Sequence, residues 1–375
     1  MPNIPYSINP DRTKPWNDLP LLPISDELYR NTEVLEQLGE AKAALGRLQG
    51  RSIAIPNQGL LINTISLQEA KASSAIENIF TTDDELYKAY SDQANLATGA
   101  PKEVLRYREA LWEGHAYLKN QAAFDLEYFI RLYKEVKQAS DGLRPEFASI
   151  VIKQGGSGPN AGKVVYTPPR GKGILETKLS NLLDFVNDDT QFPIDPLLKM
   201  AISHFQYEAI HPFRDGNGRT GRIFNIHLLV QKGLLDFPIL FLSKYIIDHK
   251  EAYYACLAGV SQRGDWKSWI MYLLKAVEST AQLTYHKIND ILEVKESILQ
   301  VIEQEANMRR PDQLVQLIFT QPFTKVKHLT DTNLYAENTA RDYLNKLCIM
   351  GVLEKRVVGG HHYYLNLELH RILSE

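Results

Sequence analysis

Cysteine is nearly absent, with only Cys256 and Cys348 in a chain of 375 residues. The two stand far apart and lack the spacing of a metal knuckle or a redox pair. This argues against a disulfide framework and suits a reducing cytoplasm, with both thiols expected in the core. Long apolar runs are also missing, since nothing approaches the roughly 18 consecutive apolar residues of a membrane span. The opening Met1-Pro-Asn-Ile-Pro-Tyr6 has no basic segment followed by an apolar one, so a cytoplasmic location is expected. Neither sign of charge dominates: 42 Lys and Arg face 45 Asp and Glu, for a net charge of −3. There is therefore no global attraction to nucleic acid or anionic lipid, and any anion site must be local. Internal repeats and low-complexity tracts are absent too. What is present is 44% hydrophobic residues, enough for a substantial core in two or three domains.

Residues 1–24 hold Pro2, Pro5, Pro10, Pro15, Pro20 and Pro23 and read as an extended arm over a folded body. Helical spacing begins at Ser25-Asp26-Glu27, runs through Leu35, Leu38, Leu45 and Leu48, and resumes from about Ser66 to Asn78. Residues 100–140 continue in that style. Between Gly142 and Gly173 the character changes. Val151-Ile152-Lys153 and Lys163-Val164-Val165-Tyr166-Thr167 are β-branched segments separated by Gly155-Gly156-Ser157-Gly158-Pro159, which predicts a hairpin. Helical periodicity returns at Leu175 and holds to about residue 308. The last portion predicts helices at Asp312–Thr320, Val326–Thr330 and Glu337–Met350. A strand pair follows, Val352–Val358 and His361–Leu365 about Gly359-Gly360, in a winged-helix pattern.

One segment carries most of the chemistry. His211-Pro-Phe-Arg-Asp-Gly-Asn-Gly-Arg-Thr-Gly-Arg222 places a histidine, a carboxylate, a Gly-Asn-Gly turn and three arginines within twelve residues. Glycines flanking Asn217 permit positive φ angles and close approach, so successive N–H groups can converge on an anion at the start of the following helix. Arg219 and Arg222 are three apart and predicted to share one face of that helix's first turn. The dipole there is already positive and disfavours a cation unless an anion is bound. Taken singly, a histidine before proline reads as a loop residue and Asp-Gly as a turn. Together they imply a phosphate site.

This segment resembles the Fic (Fido) family signature H-x-F-x-[DE]-G-N-G-R-x-x-R at each defined position. Trp16, Leu19-Pro20-Leu21-Leu22-Pro23, Leu60-Leu61-Ile62-Asn63, the hairpin ending Tyr166-Thr167-Pro168-Pro169, Tyr253-Tyr254 and the winged-helix tail are similar to one bacterial subgroup. The resemblance implies a mainly α-helical Fic bundle with a small β-hairpin flap and a C-terminal winged helix. Its portions would be an N-terminal arm and helices (1–100), a catalytic core (101–290) and a tail (291–375). It also implies a protein adenylyltransferase that moves AMP from ATP to a Ser, Thr or Tyr hydroxyl, of another protein or of itself. His211 would be the base, and Asp215 the ligand of Mg²⁺. Gly216, Asn217 and Gly218 would supply donors to the phosphates, with Arg219 and Arg222 clamping the distal ones and Arg214 alongside. Phe213 would be buried under the loop, Tyr253 and Tyr254 would line the nucleotide pocket, and a homodimer is an expected possibility.

Ser73-Ser-Ala-Ile-Glu77-Asn78 resembles the inhibitory motif [ST]-x-x-x-E-[GN] of the same family. Glu77 falls near a predicted helix end, where the dipole disfavours a carboxylate unless a cation faces it, and Arg222 is the natural partner. Such a pair would occupy the place of the γ-phosphate. Val165, Tyr166 and Thr167 precede Pro168-Pro169 and would leave a strand edge for main-chain docking of a target. The tail raises a second reading, a nucleic-acid-binding regulator with a sensory or vestigial nucleotide site. Residues 291–375 hold ten Lys and Arg against eleven Asp and Glu, which is no basic stripe, and a winged helix also serves protein docking. The full chain is expected to show no retention of duplex DNA at physiological ionic strength. Strong, steeply salt-dependent binding in a gel-shift titration would restore the regulator reading.

Overall fold

Apolar residues at intervals of three and four set the body. In α1 (Thr32–Ile53), Val34, Leu38, Ala41, Leu45 and Leu48 form one buried stripe, preceded by a short 3-10 turn at Asp26–Leu28. The computed structural model describes residues 6–53, 58–92, 97–155, 159, 161–305, 307–358 and 360–375. Residues 156–158 of the expected hairpin turn, Gly359 of the Gly-Gly turn and the side chains of Leu60, Leu61 and Ile62 lie outside the described residues.

After α1 come α2 (Gln58–Ile76), α3 (Asp83–Ser91), α4 (Gly99–Gln121) and α5 (Leu126–Lys137), then a two-stranded antiparallel ribbon of β1 (Ile152–Lys153) and β2 (Val164–Tyr166). Next are α6 (Ile174–Asn187), α7 (Pro196–Ile210), α8 (Asn217–Gln231), α9 (Leu242–Asp248), α10 (Lys250–Arg263) and α11 (Trp266–Glu305). Every residue of α7 from Leu197 to Tyr207 is buried, as is α8 from Arg219 to Leu229. These are the central helices, with α6 and α11 against α7 and with α4 and α5 against α8. Some of their buried polar side chains find partners: His204 Nε2 lies 2.9 Å from the Tyr253 hydroxyl, Tyr207 Oη 2.6 Å from Thr220 Oγ1, and Trp269 Nε1 of α11 donates to the Ala201 carbonyl at 2.8 Å.

The proline-rich arm is bonded to the body. Lys178 Nζ donates to the Leu19 carbonyl at 2.6 Å, and Asn181 both accepts from the Leu22 N–H and donates to its carbonyl. Trp16 is buried, and its N–H donates to the Thr167 carbonyl at 3.1 Å. The arm therefore lies against the exit of the ribbon.

The tail comprises α12 (Pro311–Ile318), β3 (Phe323–Thr324), α13 (Val326–Thr330), α14 (Glu337–Ile349), β4 (Leu353–Val358), β5 (His361–Asn366) and α15 (Leu367–Ser374). Its antiparallel sheet has the order β3-β5-β4, with Leu353 opposite Asn366 and Phe323 opposite Leu365. The hairpin and the three tail helices fall where the sequence places them. The short α3, capped by Thr82 and Glu85, the two-residue β3 and the closing α15, capped by Asn366, add to the elements the sequence reading placed. The continuous α11 runs through residue 290, so body and tail share a helix. The tail also grips α3: Arg356 pairs with Asp84 at 2.9 Å, Tyr363 Oη donates to Asp92 Oδ2 at 2.6 Å, and Lys325 pairs with the same Asp92. Both cysteines are half-buried, not fully enclosed in the core, because each sits at the margin of its helix packing. Among the described residues no helix is long and apolar enough to cross a membrane.

Trp269 is fully buried, stacks on His204 at 5.7 Å and braces α7 from α11. Trp269→Ala is expected to cost about 3–5 kcal/mol of stability, measurable as a fall in the urea midpoint; a change under about 1 kcal/mol would show that α7 does not depend on this brace.

Candidate active site

The turn from α7 into α8 is held by its own side chains. His211 caps α7 in the left-handed conformation, with φ 52°, and its N–H donates to the Tyr207 carbonyl at 3.0 Å. That conformation costs a residue with a β-carbon about 1–2 kcal/mol, so the surroundings must enforce it. Asn217 does part of this: its Oδ1 accepts from the Phe213 N–H and its Nδ2 donates to the Phe213 carbonyl, both at 2.9 Å. The Asn217 amide is therefore engaged in shaping the loop, where the sequence suggested a phosphate donor. Phe213 is fully buried and stacks face to face on Tyr133 at 4.3 Å. Gly216, at φ 75°, is the N-cap of α8 and has no side chain to occupy the first N–H groups, leaving those of Asn217, Gly218 and Arg219 as orphan donors of the helix N-terminus.

Arg222 lies one turn further on and is buried to 1% exposure. Its Nε donates to Ser73 Oγ at 2.8 Å, and its Nη2 donates to the Ser73 carbonyl at 2.9 Å and to Glu77 Oε1 at 2.8 Å. Glu77 follows the last residue of α2, and Asn78 closes that helix in the left-handed region at φ 62°. Two negative features, the helix C-terminus and the carboxylate, thus face one buried guanidinium. A β-carbon at Gly218 would collide with Glu77 Oε1 and come within 2.9 Å of Arg222 Nη1, so the carboxylate lies directly over the α8 N-terminus. Glu208, on the last turn of α7, adds a second carboxyl beside Arg222. Burial pushes it up to about 7, with Arg222 pulling against that and Glu77 adding to it. The His211 imidazole goes the other way. Burial draws it down to about 4, opposed by the Glu208 carbonyl, so it is neutral at physiological pH and able to accept a proton.

Arg219 does not share Arg222's partners. It is also buried, but it turns toward α4, with Nη1 3.2 Å from Glu103 Oε2, because successive positions around α8 face different neighbours. Arg214 is exposed, with Asp141 Oδ2 4.0 Å from its Nε. Asp215 Oδ2 pairs with Lys137 Nζ at 2.7 Å, and its Oδ1 accepts from the Gly216 N–H at 2.6 Å. Burial works against its ionisation, but the Lys137 ammonium and the Gly216 N–H outweigh it and hold the carboxyl below the usual range. One ionised oxygen ligand at an open edge suits Mg²⁺, which keeps several waters and binds through one or two carboxylates plus substrate phosphates. Among the described residues no cluster of three His, Cys, Asp or Glu side chains forms a complete metal cage. Of the two tyrosines, Tyr253 is a core residue bonded to His204, whereas Tyr254 is 45% exposed and stands near Glu77, with burial pushing its hydroxyl up to about 12.

The ribbon approaches this turn from the side. Val164, Val165 and Tyr166 are half-buried, and the β2 edge away from β1 carries no third strand among the described residues. At Thr167 the edge is already used by the Trp16 N–H, and Thr167 Oγ1 donates to the Arg12 carbonyl at 2.7 Å. Lys137, Glu103, Glu208 and Arg144 were not singled out in the sequence. Glu208 had a signal, lying three residues before His211 on the same helix. The other three are brought in from distant segments.

Comparisons with known proteins agree with this geometry. Residues 35–116 match the Fic/DOC family N-terminal description, residues 123–229 the Fic/DOC family, and residues 294–369 the C-terminal domain of SoFic-like protein adenylyltransferases. A protein adenylyltransferase of Caenorhabditis elegans is 32% identical over 117 residues, 31% of this chain and 22% of that protein. One of Aedes aegypti is 25% identical over 263 residues, 69% of this chain and 47% of its own length. The chain therefore spans less than half of these relatives. Among solved structures, a Fic family protein from Desulfovibrio desulfuricans superposes with a TM-score of 0.56 at 18% identity, covering 92% of this chain and 98% of that one. C. elegans Fic-1 does so at 0.53 and 19%, covering 68% and 74%. With the His211–Arg222 turn seated between two buried helices, a Fic fold around it and three successive matches along its length, the chain belongs to the Fic/DOC family.

Proposed function

We propose that this chain is a protein adenylyltransferase held in check by Glu77. The observation that carries the reading is the buried Arg222 guanidinium, whose anionic partner is a side chain laid over the N-terminus of α8 beside a neutral histidine. A polyphosphate offers the same charge to the same donors.

In this reading His211 accepts the proton of a target hydroxyl while that oxygen bonds to the α-phosphorus of ATP. The bond from the α-phosphorus to the β-phosphate bridging oxygen breaks, and pyrophosphate leaves. The N–H groups at the start of α8 receive charge developing on the transferred group, and Arg219 and Arg222, once Glu103 and Glu77 give way, receive the distal phosphates. Asp215 would hold Mg²⁺, which when bound neutralises phosphate charge. Tyr254 borders the nucleotide site while Tyr253 supports it from the core. Val165, Tyr166 and Thr167 bound the flap on which an extended target segment lies. Residues 1–100 supply the arm and the inhibitory helix, 101–290 the catalytic body and 291–375 the tail. The partner in this proposal is a protein bearing a hydroxyl, this chain included, and the proposed setting is the cytoplasm.

Glu77→Gly is expected to raise incorporation of AMP from α-labelled ATP with Mg²⁺ by about 5–150-fold, the range spanned by couplings of about 1–3 kcal/mol. His211→Ala in that background should remove about 10²–10⁴-fold. No labelling by the Glu77 variant would overturn the assignment. Because burial holds His211 near 4, well below the ordinary 6.5 of imidazole, the neutral form persists on acidification. The acidic limb of kcat/KM against pH, which reports the free enzyme, should therefore lie near or below pH 4 in the Glu77→Gly variant, because Glu77 is one of the charges that raise His211. A limb at about 6.5 would show a solvated base.

A further inference from the structure

The C-terminal end of α7 presents four successive carbonyls, Ala209 to Pro212, that the helix itself cannot fully satisfy. Each accepts a hydrogen bond from the flap side of the site. Tyr166 Oη donates to the Ala209 carbonyl at 2.8 Å, and Arg144 Nη2 donates to the Ile210 carbonyl at 3.2 Å. Arg144 Nε donates to the His211 carbonyl at 2.8 Å, and the Arg144 N–H donates to the Pro212 carbonyl at 3.0 Å. The same Nη2 also reaches the Pro169 carbonyl at 2.6 Å, where the flap ends.

Arg144 is 3% exposed, and its side chain donates to the main-chain carbonyls of His211, Pro169 and Ile210. Its charge is set against the negative end of the α7 dipole. Burial draws its guanidinium pKa below the usual value, with Tyr166 and Glu176 pulling against that. Tyr166 is anchored behind by Trp16, ring edge to ring face at 6.1 Å. Two side chains from the flap and its approach therefore clamp the turn that carries His211, and the clamp touches neither the phosphate donors nor the Glu77 pair.

We propose that Arg144 and Tyr166 are positioning residues that set the register between an extended target segment on β2 and the His211 imidazole. The proposal rests on the adenylyltransferase reading and deepens it. Main-chain pairing is blind to side chains, so selection of a hydroxyl must come from where along the docked strand the base can reach. A slip of one residue turns the hydroxyl to the opposite face, and a slip of two moves it by about 6.5 Å, whereas proton transfer tolerates a fraction of an ångström. A flap bonded to consecutive carbonyls of the histidine turn fixes that distance. Arg and Lys are not equivalent here, because three of the bonds need the planar fork.

The test uses the full chain in the Glu77→Gly background, with its own hydroxyls as the target. Tyr166→Phe, which keeps the ring, and Arg144→Lys, which keeps the charge, are compared with that parent by labelling rate, KM for ATP, melting temperature and mass-spectrometric mapping of modified residues. The expected result is a fall in kcat of tenfold or more, KM for ATP within twofold of the parent, and modification spread over hydroxyls neighbouring the parent's site. Rates that fall only in step with melting temperature or with ATP binding, or an unchanged map at an unchanged rate, overturn the positioning role. Tyr166→Phe keeps the question decidable if Arg144→Lys does not fold. Absence of labelling in the parent defeats the adenylyltransferase reading and this one with it, whereas a labelling parent with indifferent variants defeats only the clamp.

Discussion

A buried guanidinium has to be neutralised, and that requirement at Arg222 organises the site. Leaving such a charge unpaired costs several kilocalories per mole, about 3–5 when one partner of a fully buried pair is removed. Ser73 supplies two neutral acceptors and Glu77 the charge. Glu77 is about one-third exposed, so its side of the pair is partly solvated and the more easily exchanged. The arrangement is an ion pair with one fixed and one replaceable partner. In the proposed function, an incoming polyphosphate would compete for the fixed one.

Around that pair the fold supplies rigidity in layers. α7 and α8 are buried on nearly every face, so the loop between them cannot relax independently of the core. Phe213 on Tyr133 and the paired Asn217–Phe213 bonds hold its shape from within, and the carbonyls at the end of α7 are held from the flap. The neutral state of His211 and the raised pKa of Glu208 follow from the same enclosure, which penalises charge on both.

What the sequence made legible was what is local. Twelve consecutive residues hold the histidine, the glycine turn and both inward arginines, and helix periodicity placed most of the bundle. The Glu77–Arg222 contact was legible despite its distance along the chain because each residue was electrostatically misplaced in its own helix. Arg144 left no comparable trace, since its partners are main-chain oxygens that every residue possesses. Adjacent Tyr253 and Tyr254 could not be told apart because a helix turns about 100° between neighbours and only tertiary packing decides which faces inward. The short α3 starts at a Thr82–Glu85 capping box, and its Asp84 together with Asp92 just past its end gain partners from Arg356, Lys325 and Tyr363 of the tail.

The shared volume at Gly218 constrains how this protein can diverge. The place a side chain would take there is held by the Glu77 carboxylate, and it is also the space beside the α8 N-terminus that an anion must enter. A larger residue at 218 would expel the carboxylate and itself fill the space beside the α8 N-terminus. If Glu77 restrains the site as proposed, the contact can be relieved without obstructing the α8 N-terminus only from the α2 side, at Ser73 or Glu77, with the glycine left in place.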